Sequence, residues 1–136
     1  MTLVIDTSLI AAWIFKEIET PAIEEIAGQL ALGGASVPQL FPLEMANVLN
    51  VAVRERRLSA DEASKHLAFV RQLPLRIDDD TASRAWNETY RLARSEDMTV
   101  YDAAYLELAL RLGAELATLD TALAGAARRR GLIVLP

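Results

Sequence analysis

The feature that most constrains the fold is an alternation between short apolar stretches and longer segments with helical periodicity. Strands are predicted at 2–6, 35–37, 75–77, 115–117 and 132–135, and helices at 8–15, 20–32, 40–57, 60–72, 80–95, 101–112 and 121–130. Because apolar strands joined by helices are typical of a parallel sheet covered on both faces, the pattern predicts an α/β fold. Ligands of such folds usually bind beyond the carboxyl ends of the strands.

The bulk composition limits the classes of protein to consider. A chain of 136 residues with 52% apolar residues predicts one folded domain, 1–136, rather than disorder. No apolar run approaches the roughly 18 residues that a membrane helix needs. The chain has no cysteine and no recognisable secretion signal, which favours a cytoplasmic protein. A net charge of -5 disfavours simple electrostatic binding of nucleic acid but permits binding through a divalent cation.

Two aspartates follow predicted strands. Asp6 ends the apolar run LVI, and Asp120 lies just beyond the strand at 115–117. If these strands are parallel neighbours, both side chains project from the same edge of the sheet. Each aspartate also precedes a helix, and aspartate is a favoured N-cap, so a capping role explains either residue equally well. If Thr7 or Ser8 caps the first helix instead, the carboxylate of Asp6 stays free.

Two further acids lie near the beginnings of predicted helices. Glu44 shares a helical stripe with Val48 and Val51, and Asp102 shares one with Tyr105. An acid in a first turn also complements the helix dipole, which is the structural alternative to a functional role. The stripes nevertheless predict that both carboxylates point toward the edge of the core rather than into open solvent.

Four acids at one edge require a counter-charge, because isolated buried charges are costly and like charges raise one another's pKa. No Lys or Arg lies within a few residues of Asp6, Glu44 or Asp120. A hard divalent cation, Mg²⁺ or Mn²⁺, would supply the charge and prefers carboxylate oxygen. The lack of Cys and the single His argue against a typical zinc site.

Four motifs carry a family resemblance that runs nearly from end to end. They are VIDTSLI at 4–10, E-x-x-N-x-L at 44–49, YDAAYLELA at 101–109 and T-L-D-x-x-L at 118–123. In this order, and in a chain of this length, they resemble the PIN-domain ribonucleases, especially the VapC toxins of bacterial and archaeal toxin–antitoxin pairs.

The resemblance implies a three-layer α/β/α sandwich around a central, mainly parallel sheet of four or five strands. It also implies a cluster of catalytic acids that binds Mg²⁺ or Mn²⁺ at the carboxyl edge. The family's acidic positions fall on Asp6, Glu44, Asp102 and Asp120. Its hydroxyl positions fall on Ser8 and Thr118, which we expect to orient carboxylates or bound waters.

The function implied by this resemblance is that of a Mg²⁺-dependent endoribonuclease, the toxin of a VapBC-type pair. Its expected partners are an RNA substrate, a cognate VapB-type antitoxin and a second copy in a homodimer, with no membrane. VapC-like proteins are commonly neutralised by a small partner that lies across the active-site side. Helix-in-groove docking of this kind suits an apolar surface, and its edge is predicted to comprise Leu9, Ile10, Trp13 and Ile14.

Other residues are given weaker interpretations. Arg54 and Arg57 end the helix that begins near Glu44, where they complement the helix dipole or contact RNA phosphates. The cluster 128–130 has the same alternatives, with an acidic antitoxin tail as a further partner. His66 is expected to be a partly exposed helix residue without a catalytic role. The aromatic side chains expected in the core or in an interface are those of Trp13, Phe15 and Trp86.

Two alternative functions remain open. One is a PIN-fold nuclease that acts on DNA or in RNA maturation. The other is a non-catalytic module on the same fold that binds a cation or a protein and uses its carboxylates as helix caps. A cation that binds only the native state raises the melting temperature, so a metal titration separates a cation site from a set of caps.

Overall fold

The structure, a computed structural model, describes residues 2–136. Five parallel strands form one sheet in the order β3-β2-β1-β4-β5. The elements in chain order are β1 (Leu3–Ile5), α1 (Thr7–Ile14), α2 (Pro21–Gly33), β2 (Ala35–Val37), α3 (Phe41–Arg54), α4 (Ala60–Arg71), β3 (Leu75–Ile77), α5 (Thr81–Ala85), α6 (Glu88–Glu96), α7 (Val100–Leu112), β4 (Glu115–Ala117), α8 (Thr121–Arg129) and β5 (Val134–Leu135). The predicted parallel α/β fold is confirmed.

Two apolar clusters lie on opposite faces of the sheet and make the three layers. Successive strand residues point to opposite faces, and accordingly Leu3 and Ile5 belong to one cluster while Val4 belongs to the other. The first cluster joins the sheet to α2 and to the beginning of α3. The second joins it to α7 and α8. The central strand β1 is therefore buried on both sides, which explains why it is continuously apolar.

The strand order determines which loops meet at the carboxyl edge. β1 is central and pairs with β4 through Ile5 and Ala117, the last residues of the two strands. The backbone amide of Asp6 extends this pairing with a 2.9 Å hydrogen bond to the carbonyl of Ala117. The segments after β1 and β4 therefore leave the sheet side by side.

Two predicted helix boundaries are wrong. The helix expected at 80–95 is two helices, α5 and α6, because Asn87 has φ -140° and ψ -79°, outside the helical region. This break lets Thr89 and Ala93 of α6 face the interior, while α5 buries no residue. The helix expected to reach residue 57 ends at Arg54, because Arg56 has a left-handed backbone with φ 60°.

Across residues 2–136, no helix combines the length and apolar character needed to cross a membrane. The residues at the beginnings of α1, α3, α7 and α8 are those that the motifs place in the functional site.

Candidate functional site

Asp6 is the buried centre of the candidate site. Asp6 directly follows β1 and is only 6% exposed. The hydroxyls of Ser8 and Thr118 each donate a hydrogen bond of 2.8 Å to its Oδ2 atom. Burial raises the pKa of the Asp6 carboxyl, the two hydroxyls partly offset this, and the charge of Asp120 raises it further. The carboxylate is therefore held in one orientation although its charge is poorly solvated.

The two hydroxyls that contact Asp6 are themselves fixed by backbone amides. Ser8 Oγ accepts a hydrogen bond from the amide of Leu119 at 3.1 Å, and Thr118 Oγ1 accepts one from the amide of Asp120 at 3.0 Å. These contacts tie the loop after β1 to the loop after β4. Each hydroxyl donates to the carboxylate and accepts from the backbone, so its proton direction is defined.

Glu44 lies in the first turn of α3 and reaches two hydroxyls. Tyr105 donates from its hydroxyl to Glu44 Oε1 at 2.6 Å, and Thr7 Oγ1 lies 3.2 Å from the same oxygen. Thr7 Oγ1 and the Tyr105 hydroxyl are 2.8 Å apart, which closes a triangle. Burial raises the pKa of the Glu44 carboxyl, the two hydroxyl contacts partly offset this, and the charges of Asp6 and Asp102 raise it further.

Asp102 and Asp120 complete the set of acids. Burial raises the pKa of Asp102, and the charges of Asp120 and Asp6 raise it further. Asp120 Oδ1 accepts a hydrogen bond from the amide of Leu123 at 2.9 Å, so Asp120 does cap α8. Asp6 occupies the N-cap position of α1, but its side chain makes no capping bond.

The expectation that Thr7 or Ser8 caps α1 is wrong. The hydroxyl of Thr7 is engaged by Glu44 and Tyr105, and that of Ser8 by Asp6 and the backbone after β4. The main-chain carbonyl of Asp6 instead accepts hydrogen bonds from the amides of Leu9 and Ile10 in the first turn of α1. Both hydroxyls therefore hydrogen-bond to carboxylates and do not cap α1.

The four acids lie near one another without a protein cation. Their charges raise the pKa values of Asp6, Glu44 and Asp102, yet none of the four forms an ion pair with a Lys, Arg or His side chain in residues 2–136. The side-chain hydrogen bonds of Asp6 and Glu44 fall on one oxygen of each carboxylate. The second oxygen of each accepts none from another side chain of the described residues.

This donor set has the chemistry of a site for Mg²⁺ or Mn²⁺, which take carboxylate oxygens and need negative charge around them. In the described part of the chain, however, no three His, Asp or Glu side chains are gathered closely enough to hold a metal ion as they stand. The residues therefore fit the ion in donor type and charge, whereas their spacing is wider than a metal site requires.

The predicted arginine contacts lie at a distance from the acids. Arg54 follows Glu44 by ten residues on α3, about 15 Å along the helix axis. Arg57 is exposed and pairs with Glu55 at 3.1 Å. In the cluster 128–130, Arg129 and Arg130 both pair with Glu96. A contact of any of these arginines with RNA or an acidic partner stays a prediction.

The predicted apolar groove edge is wrong for two of its four residues. Leu9 is 2% and Ile10 0% exposed, because both pack into the cluster formed with α2. Trp13 and Ile14 are partly buried against the same cluster. An apolar groove of about 400 Å³ lies elsewhere, between α3, α4 and β3. Its walls include Phe41, Pro42, Met45, Leu67, Val70 and Ile77.

The expectations for the other aromatic residues have mixed outcomes. His66 is partly exposed as predicted, and its ring meets that of Phe15 edge-on at 6.0 Å. Trp86 is 89% exposed at the break between α5 and α6, so a core position is wrong for it. An interface role for Trp86 stays a prediction.

Thr7 and Tyr105 are the residues of the site that the motifs did not assign. Tyr105 was recognised only as a member of the buried stripe below Asp102, and Thr7 only as a possible cap. Both residues lie inside the motif segments, but the motifs give no role to either of them. The contact with Glu44, 61 residues from Tyr105, is tertiary and has no signal in sequence spacing.

Comparison with known proteins agrees with this architecture. The family described as PIN domain matches residues 3–129. Ribonuclease VapC3 of Pyrobaculum aerophilum is 33% identical over 124 residues, which are 91% of this chain and 93% of the relative.

Two solved structures show the same fold. The crystal structure of PAE2754 from Pyrobaculum aerophilum has a TM-score of 0.74 at 23% identity and covers 98% of this chain and 89% of that one. The crystal structure of FitAcB from Neisseria gonorrhoeae has a TM-score of 0.67 at 14% identity and covers 99% and 97%. The resemblance seen in the motifs is confirmed, and the chain belongs to the PIN domain family.

Proposed function

We propose that this protein is a Mg²⁺-dependent endoribonuclease and the toxin of a VapBC-type pair. The observation that carries the proposal is that four carboxylates at the beginnings of four helices lie at one edge of the sheet, and none of them pairs with a Lys, Arg or His side chain of residues 2–136. The 33% identity to Ribonuclease VapC3 supports RNA as the substrate class and a VapB-type antitoxin as the partner.

In this proposal the ion is held by the carboxylates of Asp6, Glu44, Asp102 and Asp120. When bound, Mg²⁺ lowers the pKa of a coordinated water and offsets charge on the phosphoryl oxygens. Ser8 and Thr118 both donate to Oδ2 of Asp6, which leaves its Oδ1 atom without a side-chain hydrogen bond among residues 2–136. No side chain is required as a covalent nucleophile, because water would attack the phosphorus in line, the P–O bond to the leaving ribose oxygen would break, and the proton lost by the water would be balanced by one taken up by that oxygen.

Protons compete with the cation for these carboxylates. Burial and mutual repulsion raise the pKa values of Asp6, Glu44 and Asp102, so the metal-free site binds protons more tightly than exposed acids do. Because the ligands must be deprotonated, the apparent affinity for Mg²⁺ should fall as the pH is lowered. Activity should follow the same direction at subsaturating Mg²⁺.

The variant Asp6→Asn tests the proposal. It keeps the size of the side chain and an acceptor for Ser8 and Thr118, but removes the charge that the ion needs. Mutation of residues that only hydrogen-bond to a metal ligand typically lowers metal affinity or activity by roughly 10- to 100-fold. Loss of the charge of Asp6, a ligand itself, should therefore lower the rate of cleavage of structured RNA by at least about 100-fold.

The assay compares Mg²⁺ with EDTA in the wild type and in two variants. Asp79→Asn is the matched control, because Asp79 is an exposed aspartate in the loop after β3. Its rate should equal that of the wild type. Equal cleavage rates for Asp6→Asn and the wild type, or wild-type cleavage that persists in EDTA, would contradict the proposed mechanism.

The biological part of the proposal needs separate tests. Single-stranded DNA offered beside RNA decides between the ribonuclease and a DNA nuclease. The antitoxin pairing is tested by growth arrest on expression and by its relief when a short reading frame found next to this gene is expressed as well. Light scattering coupled to size exclusion measures whether the protein is the proposed homodimer.

A non-catalytic module is the second candidate, favoured by one specific observation. Asp120 caps α8, as the capping interpretation requires. If all four acids were structural, Mg²⁺ would leave the melting temperature unchanged, whereas a native-state site raises it.

A further inference from the structure

Tyr105 is a fully buried tyrosine whose hydroxyl lies at the junction of three helices. The residue is 0% exposed, and its ring belongs to the apolar cluster beneath α7 and α8. Its hydroxyl meets Glu44 of α3 at 2.6 Å and Thr7 of α1 at 2.8 Å. The 2.6 Å bond joins residues 61 apart in the chain and links α7 directly to α3.

The bonding pattern defines which atoms are used. Tyr105 has one hydroxyl proton, which it donates to Glu44 Oε1, and Thr7 donates to the tyrosine oxygen or to the same Oε1. Both contacts fall on Oε1 and leave Oε2 of Glu44 without a side-chain hydrogen bond among residues 2–136. Hydrogen bonds to an ionised acceptor are the stronger kind, so this orientation is well defined.

Glu44 needs such support because of its neighbours. The charges of Asp6 and Asp102 both repel the Glu44 carboxylate, and no Lys, Arg or His side chain of residues 2–136 forms an ion pair with it. A glutamate that starts a helix next to solvent otherwise has several rotamers that point away from those charges. A hydroxyl carried on a ring locked in the core opposes this repulsion.

We propose that Tyr105, assisted by Thr7, is a positioning residue that holds Glu44 at the carboxyl edge for the divalent cation. This inference rests on the proposed function, since it needs a cation for Glu44 to meet. Tyr105 itself does not contact the ion or the RNA. Its hydroxyl acts through Glu44, in the manner of partners that orient metal ligands from behind.

The test compares the Mg²⁺ concentration that gives half of the full thermal stabilisation in wild type and variants. Tyr105→Phe keeps the buried ring and removes the hydroxyl alone. We expect its midpoint to rise by roughly 10- to 100-fold. Tyr90→Phe is the matched control, because Tyr90 is half-exposed on α6, and its midpoint should equal that of the wild type.

A second background separates positioning from a general structural effect. In Glu44→Ala, the change Tyr105→Phe should cause no further shift of the Mg²⁺ midpoint, because the tyrosine acts only through that carboxylate. Thr7→Val removes the other hydroxyl at constant shape and should shift the midpoint in the same direction. It carries the test if Tyr105→Phe does not fold.

Each outcome decides something specific. Equal midpoints for wild type, Tyr105→Phe and Thr7→Val would overturn the inference and leave the proposed function standing. An equal shift of the midpoint with and without Glu44 would also overturn it, because the tyrosine would then act by another route. A wild type that Mg²⁺ does not stabilise at all would instead overturn the proposed cation site.

Discussion

At the scale of single residues, the fold holds acidic side chains in positions where burial and neighbouring carboxylates make their charges unfavourable. Asp6 is 6% exposed, and its charge costs more there than in water. Two hydroxyls on Asp6 and two on Glu44 recover part of that cost. The remainder is a cost to stability that a bound cation would remove, as is common where function requires like charges to meet.

This cost predicts a particular pH dependence for the metal-free protein. The folded-state pKa values of Asp6, Glu44 and Asp102 are raised above their ordinary values. The native state therefore holds these protons more tightly than the unfolded chain. This tighter proton binding stabilises the native state fully below about pH 4. The stabilisation is lost as the pH rises through the raised pKa values of the three acids.

The measurement is the melting temperature in EDTA from pH 4 to 7, for wild type and Asp6→Asn. The variant lacks one of the three titrating acids, so its melting temperature should gain on that of the wild type as the pH rises. About 1 kcal/mol corresponds to roughly 3–5 °C for a chain of this size. A constant difference between the two proteins across this range would contradict the raised pKa of Asp6.

At the scale of elements, four helices bring their N-termini to the same edge of the sheet. Asp6 and Asp120 occupy the N-cap positions of α1 and α8, and Glu44 and Asp102 lie in the first turns of α3 and α7. Three of these helices, α1, α3 and α8, are the first helices after a strand, and in a parallel sheet such helices begin near the carboxyl edge, whereas α7 follows α6. The positive ends of the helix dipoles offset part of the carboxylate charge there.

The opposite end of α7 is held by a partly buried ionic network. Arg111 bonds to Asp78, which follows β3, at 2.7 Å and to Glu107 at 2.9 Å, and their side chains are only 18%, 11% and 7% exposed. The guanidinium lowers the pKa of Asp78 and the two carboxylates raise that of Arg111. The network joins α7, which carries Asp102 and Tyr105, to the outer strand of the sheet.

Removal of the Arg111 guanidinium from this network should lower the free energy of unfolding of the whole domain. Arg111→Met keeps the length of the side chain but removes the cation that Asp78 and Glu107 share. Because the network is only partly buried, the cost should lie between the roughly 1 kcal/mol of an exposed pair and the about 3–5 kcal/mol of breaking a fully buried one. Urea unfolding at pH 7 measures the change. Arg94→Met, at an exposed position of α6, is the control. Equal midpoints of unfolding for the two variants would show that the network contributes nothing.

At the scale of the whole molecule, the parallel α/β arrangement was predictable because the central strand is buried on both faces. A strand such as LVI has no polar alternation, and only a sheet covered on both sides accounts for that pattern. The meeting of Asp6 and Asp120 then follows from the rule for strand ends, since β1 and β4 are neighbours. The order of the strands itself has no local signal.

The parts that sequence reasoning missed depend on tertiary contacts. Leu9 and Ile10 were expected at an exposed edge, but α2 covers them. The break at Asn87 depends on which residues of α6 face the core, and the role of Tyr105 depends on a partner 61 residues away. In each case the residue was visible in the sequence, and its neighbour in space was not.

The central claim is that the four acids hold a divalent cation, and crystals of the wild type soaked in Mn²⁺ test it most directly. Anomalous diffraction locates Mn²⁺ without reference to the protein. The account predicts a peak about 2.0–2.2 Å from carboxylate oxygens of Asp6 and of at least one other of Glu44, Asp102 and Asp120. RNA cleavage that depends on Mn²⁺ while no peak lies near Asp6 would contradict it.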